Sequence, residues 1–256
     1  MAKKAKTLAQ TLAKLDRPPA AHNWSLCNFQ RQSRTTTALV NLAMGFPKVS
    51  YFWATAVIQN VLADGLSDER AIQNLEGFCP PSQIDDNLEY LNAFLSYNSS
   101  RKLRGFRVFD EFSGQFLAGP DVKVPVKPTI ILNDRGIFKP LFVVGWATNS
   151  LNYYQRRLLS TLYEDAIYSL TDLRDSPGEV LFFPKNGYGV RTVEQWNRDT
   201  YQLLSKEELR EQVHRFIQAR SDARPIIADR FEKRMEEKAR KEATRREAPR
   251  DPPGKR

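Results

Sequence analysis

The sequence is poor in the residues that most often do chemistry at neutral pH, with two cysteines and two histidines in 256 residues. Cys27 and Cys79 lie far apart, without CxxC spacing or a histidine beside either, so the common zinc patterns are excluded and buried free thiols are expected. With His22 and His214 alone, Ser-His-Asp or Cys-His catalysis has almost no material. Metal or carboxylate chemistry would have to draw on Asp and Glu. No long apolar run exists either: the uncharged stretch 49–63 falls short of the roughly 20 residues needed to span a bilayer and contains Ser50, Gln59 and Asn60. The opening MAKKAKTLAQTLAKL has no apolar h-region and no small-residue cleavage site, so a soluble cytoplasmic protein without membrane insertion is expected. Internal repeats and low-complexity tracts are missing, which excludes solenoids.

The formal net charge is +9, yet the body of the chain has no surplus of either sign. Residues 18–229 carry 23 basic and 23 acidic side chains; the excess lies at the ends, with five Lys/Arg against one Asp over 1–17 and eleven Lys/Arg against six Asp/Glu over 230–256. Basic tails attract phosphate backbones or acidic partners through the same screened attraction, and can equally serve as solubilising segments. Nucleic acid and a protein partner both stay open.

Four sections follow from the patterning: a basic tail over 1–20, a helical segment over 21–84, an α/β core over 85–222, and a charged tail over 223–256 that is helical or disordered and lies outside the core. TTTALVNLAMGF and VSYFWATAVIQNVLADG read as helices stopped by Gly45 and Gly65, Ser67 can cap a third, and NLEYLNAFLSY forms a fourth. The period then changes. FRVFDEF alternates and, with the turn at Ser113–Gly114, reads as a hairpin with QFLAG. VKVPVKPTIIL reads as one strand, half-exposed at its start and buried at its end, and IFKPLFVVGW after the NDRG turn as the central strand. NYYQRRLLSTLYEDAIYSLTDL is helical with Asn149 or Ser150 as cap, EVLFFP is a short buried strand, and YGVRTVEQW is a further one. Ser205 and Glu208 make a capping box for a last helix.

Helix, strands, helix, strand in this order, over 85–184, resembles the restriction-endonuclease-like core of the PD-(D/E)XK nuclease superfamily. The resemblance implies a mixed central sheet with a β-hairpin and a crossover helix. It also implies a Mg²⁺ site in which Pro-Asp and Glu-x-Lys hold the ion and position water. The matching positions here are Pro128–Thr129 and Val144–Gly145–Trp146, so Thr129, Val144 and Trp146 stand where the acids and the lysine would be. A family member with this pattern would be a pseudoenzyme without a metal or other cofactor. The alternative is relocation of the acids, with Glu89, Asp110, Glu111, Asp121, Asp134, Lys139, Glu164 and Asp165 as candidates and Mg²⁺ as the cofactor. Each also has a structural reading, in a turn or on a solvated helix face. Gln155 and Tyr163 match a glutamine and a tyrosine that some relatives place near the active site. For nucleic-acid contact the sequence offers Lys185, Tyr188 and Arg191, an aromatic between basic residues, and Arg245 and Arg246 in the C-terminal tail.

Overall fold

The structure is a computed structural model that describes residues 7–45 and 50–247, with side chains as far as residue 241. Its centre is a five-stranded mixed sheet in the order β1 (Gly105–Phe106), β4 (Ile130–Asp134), β5 (Ile137–Val144), β6 (Glu179–Phe182), β7 (Glu194–Asn197). β4 and β5 form an antiparallel hairpin whose turn residues Arg135 and Gly136 both take positive φ, 54° and 88°. Helix α7 (Tyr153–Ala166) then carries the chain over to β6, which pairs parallel to β5. The fold is therefore mixed α/β, as the order of elements implies.

The second half of β5 is unbroken in its apolar character because both its faces are covered. Leu141 and Val143, with Ile130, Leu132, Leu181 and Phe183, pack against α4 (Phe52–Asp64), α5 (Asp68–Phe78) and α6 (Ile84–Arg101). Phe142 and Val144, with Val180 and Phe182, face the opposite core. That core is built from α7, α2 (Ala21–Leu26), α3 (Gln32–Met44), α8 (Lys206–Glu247) and a two-stranded sheet of β2 (Gly114–Gly119) and β3 (Val122–Val126). The helices between 21 and 84 thus divide between the two faces of one sheet. Gly65 closes α4 in the left-handed region at φ 70°, and Ser205 and Glu208 cap α8 reciprocally.

Several local expectations are corrected. FRVFDEF does not pair with QFLAG: Phe106, Phe109 and Phe112 recur every third residue, gather on one another and reach Phe138, and Asp110–Phe112 is a 3-10 turn. QFLAG pairs instead with VKVPV as β2–β3. VKVPVKPTIIL is two strands in different sheets, broken at Lys127–Pro128, where proline removes a ladder donor. The alternation itself holds, with Val122, Val124 and Val126 buried and Lys123 and Pro125 exposed. Asn152, not Asn149 or Ser150, caps α7, and Gln155 completes its capping box. α8 continues past Pro225, and beyond it Ile227 is fully buried, so the core extends past residue 222. Leu15 is likewise buried, and Asp16 takes Arg220 and Arg224 of α8. Helix α1 (Leu8–Leu12), capped by Thr7, packs against α8 as well. The first lysines, residues 1–6, and the last residues, 248–256, lie outside the described residues. Among the described residues no helix is long and apolar enough to cross a membrane.

Candidate nucleic-acid interface

The carboxyl ends of the parallel pair β5 and β6 open onto two connections, 145–152 and 183–193, and in open α/β sheets ligands bind at such ends. Arg191 ties the two together. Its Nη1 donates to the Gly145 carbonyl at 3.0 Å and to the Phe183 carbonyl at 2.6 Å, one from each strand end. The guanidinium carbon lies 4.9 Å from the Tyr51 ring centre and 5.6 Å from that of Tyr90, so aromatic faces replace part of its lost hydration. Gly145 is required here, because a Cβ would stand 2.6 Å from the fully buried Tyr90 ring. Burial also raises the Tyr90 hydroxyl pKa well beyond the ordinary phenol value.

Glu89 on α6 completes the cluster. One carboxylate oxygen is 2.7 Å from Lys185 Nζ and the other 3.8 Å from Arg191 Nε. Between Lys185 and Arg191, which face each other in an antiparallel bridge, the chain forms a short loop. Asn186 shapes it: its Oδ1 accepts from the Tyr188 and Val190 amides, and its own amide donates to the Val190 carbonyl. Gly189 supplies the positive φ, 79°, that the turn needs. The Tyr188 side chain emerges at the tip, 93% exposed, beside an exposed Val190.

Three sequence candidates, Glu89, Lys185 and Arg191, are thus brought together, with Tyr188 on the same loop. Arg191 sits behind the loop rather than on the surface, its side chain 1% exposed. The motif positions lie close by in the sheet but are spent on packing. Thr129 Oγ1 accepts from the Val143 amide at 2.8 Å, Val144 is buried in the core, and the Trp146 indole packs against His22 and Phe182. One hydroxyl already engaged, one valine and one indole do not fit a Mg²⁺ ion.

The other candidates scatter. Lys139 Nζ is 2.7 Å from Glu179, and Glu164 is held by Arg198. Asp110, Glu111, Asp121, Asp134 and Asp165 are exposed at turns, a strand end and a helix face. Among the described residues no three His, Cys, Asp or Glu side chains gather in metal-holding range. Gln155 donates to the Leu26 carbonyl and Tyr163 stacks on Phe142 at 3.8 Å, so both serve the core. His22 is kept neutral by burial, its pKa lowered to about 4. Cys27 and Cys79 are free, with the Cys27 thiol pushed up to about 11 by burial. Arg245 and Arg246 fall on the last turns of α8, beyond the described side chains.

Sequence reasoning missed Glu179, Asn186 and Tyr51. Glu179 is fully buried at the start of β6 and accepts from Arg101 at 2.5 Å and from Tyr97 at 3.2 Å, besides pairing with Lys139. Burial alone would raise its pKa, but the Arg101 and Lys139 contacts outweigh that and lower it. The available signal was a lone acid in the apolar run EVLFFP, since a charge in a strand covered on both faces needs partners. Asn before glycine in KNG pointed to the turn, but not to the aromatic it presents.

No protein-family model matches the chain, and neither does any curated protein. Among solved structures it is similar to a putative exonuclease from Eubacterium rectale, at 11% identity and a TM-score of 0.40, over 87% of this chain and 88% of that one. A second, SSO0001, is similar at 9% identity and a TM-score of 0.30, over 72% of this chain and 83% of that one. At these scores neither bears on the function.

Proposed function

We propose that the protein is nucleic-acid-associated, built on a nuclease-like scaffold of the PD-(D/E)XK kind, and catalytically inactive at the positions where that family holds its metal. The observation that carries this reading is Tyr188, a tyrosine 93% exposed on a loop held in shape by four hydrogen bonds of Asn186. Leaving a large aromatic in water has no stabilising return for the fold, whereas an unstacked base gains roughly 1–3 kcal/mol on such a ring. Lys185 stands at the base of the loop for the phosphate backbone, and the basic ends of the chain add attraction independent of sequence. The hairpin and crossover order supports the scaffold, and Thr129, Val144 and Trp146 support the inactivity.

The test has two arms. Incubating the full chain with plasmid and with linear and single-stranded DNA and RNA, in Mg²⁺ and in Mn²⁺, gives no cleavage; cleavage at micromolar protein that is lost in a Glu89→Gln variant would replace this reading with relocated catalysis. Binding of labelled single strands gives affinity that depends on Tyr188. A second reading, a protein-interaction subunit, is favoured by the exposed aromatics Phe52 and Phe78, each close to Trp53 on the helical face. That reading predicts no oligonucleotide binding at all.

A further inference from the structure

The arginine that ties the two strand ends together leaves three of its five N–H donors without an acceptor among the described residues. Arg191 Nη1 serves the Gly145 and Phe183 carbonyls, while Nε and Nη2 are buried and have no hydrogen-bond acceptor among the described residues. These two nitrogens form one edge of the guanidinium, the edge whose parallel N–H bonds match two oxygens of a carboxylate or phosphate. A buried cation with that edge unsatisfied is costly, and burial of charge without full hydrogen bonding is normally avoided. The carboxylate at hand satisfies it poorly. Glu89 lies 3.8 Å from Nε, beyond hydrogen-bond range, because its other oxygen is drawn 2.7 Å from Lys185 Nζ. Two cations therefore share one carboxylate that grips the outer and misses the inner.

We propose that this is a binding site for a phosphate-sized oxyanion, and that Glu89 is its displaceable internal occupant. A tetrahedral anion can place two oxygens on the Nε–Nη2 edge and a third on Lys185 Nζ, where a planar carboxylate on the α6 backbone reaches only one. Glu89 and Lys185 side chains are each about one-third exposed, so both can swing outward, while Arg191 is fixed by two carbonyls and packs against two tyrosine rings. The position, at the carboxyl ends of parallel strands, is where α/β sheets place anionic ligands. The site needs no nucleic acid: the oxyanion is either free or the phosphate of a bound strand, and the experiment separates these.

The full-length protein is titrated with inorganic phosphate at low ionic strength and neutral pH, with chloride as control. Binding is followed by calorimetry and by the Nε–Hε resonance of Arg191 in ¹⁵N-labelled protein. Saturable binding that shifts the Arg191 resonance is expected. Glu89→Gln removes the competing charge and tightens binding at least ~10-fold, about 1.4 kcal/mol; Lys185→Met weakens it by a similar factor. Tyr188→Ala leaves phosphate binding unchanged, so loss of oligonucleotide binding in that variant does not touch this site. Phosphate that displaces a bound oligonucleotide assigns the oxyanion to the strand; saturable phosphate binding without displacement assigns it to a free ligand. If phosphate neither binds saturably nor moves the Arg191 resonance in both the wild type and Glu89→Gln, the site does not exist. Weaker binding in Glu89→Gln than in the wild type overturns the role given to Glu89.

Discussion

Lys139 of β5 and Glu179 of β6 meet at 2.7 Å, at the amino end of β6 and away from the strand ends that gather Arg191 and Lys185. Lys139 is the lysine of the central hairpin that sequence would offer for catalysis, and this contact commits it to structure. Arg101, the last residue of α6, binds the same carboxylate, so one buried acid fastens a helix end to the sheet.

Replacing Glu179 by Ala leaves Lys139 without its partner and is expected to destabilise the fold by about 3–5 kcal/mol in urea denaturation. The pH dependence has a definite sign. The folded pKa of Glu179 is lowered, so its contribution is present above the ordinary glutamate value near ~4.3 and is lost as pH falls through the folded pKa. The stability gap between wild type and Glu179→Gln therefore narrows on acidification; a constant gap down to the acid transition contradicts the pairing.

Gly145→Ala drives a methyl group against the Tyr90 ring at 2.6 Å, with Phe183 and Tyr51 packed around it. A loss of about 1–3 kcal/mol is expected in thermal and chemical unfolding, typical of overpacking. Gly187→Ala, with open space around its Cβ position, serves as the control and changes little.

Ile227→Ala is expected to cost about 2–5 kcal/mol because the helix still belongs to the core beyond Pro225. Met235→Ala, two turns further and exposed, stays within about 0.5 kcal/mol. Equal effects at the two positions would show that the core ends before Ile227.

Asn186 touches no ligand in the proposed interface, yet Asn186→Ala is expected to weaken oligonucleotide binding by roughly 0.5–1.5 kcal/mol, because the Tyr188 loop must then be ordered on binding. The melting temperature moves little, since the loop lies at the surface. An affinity equal to wild type shows that the loop is not what the strand contacts.

The scaffold was largely readable in the sequence because the apolar period changes where the elements change. IFKPLFVVGW reads as central since its unbroken apolar end needs cover on both faces, and α4–α6 and α7 provide it. Pairing was less readable. FRVFDEF reads as a strand in composition, but only Phe106 is in one, while Phe112 lies in a 3-10 turn and Phe109 just before it; β3 reads as part of β4 because only Lys127–Thr129 separate them. The candidate interface was legible as residue types, Lys185, Tyr188 and Arg191, but not as geometry. Which of them is buried depends on Tyr51 and Tyr90, 140 and 101 positions earlier in the chain than Arg191, and on two carbonyls that sequence does not display.

Tyr188 is the proposed contact for single-stranded nucleic acid. Fluorescence anisotropy of a labelled oligonucleotide, titrated with wild type and with Tyr188→Ala across a salt series, measures this directly. Wild-type affinity should fall linearly in log–log form with salt, and Tyr188→Ala should lose roughly 1–3 kcal/mol at every salt concentration with no change in melting temperature. Equal binding by the two proteins, or no binding by either at low salt, contradicts it.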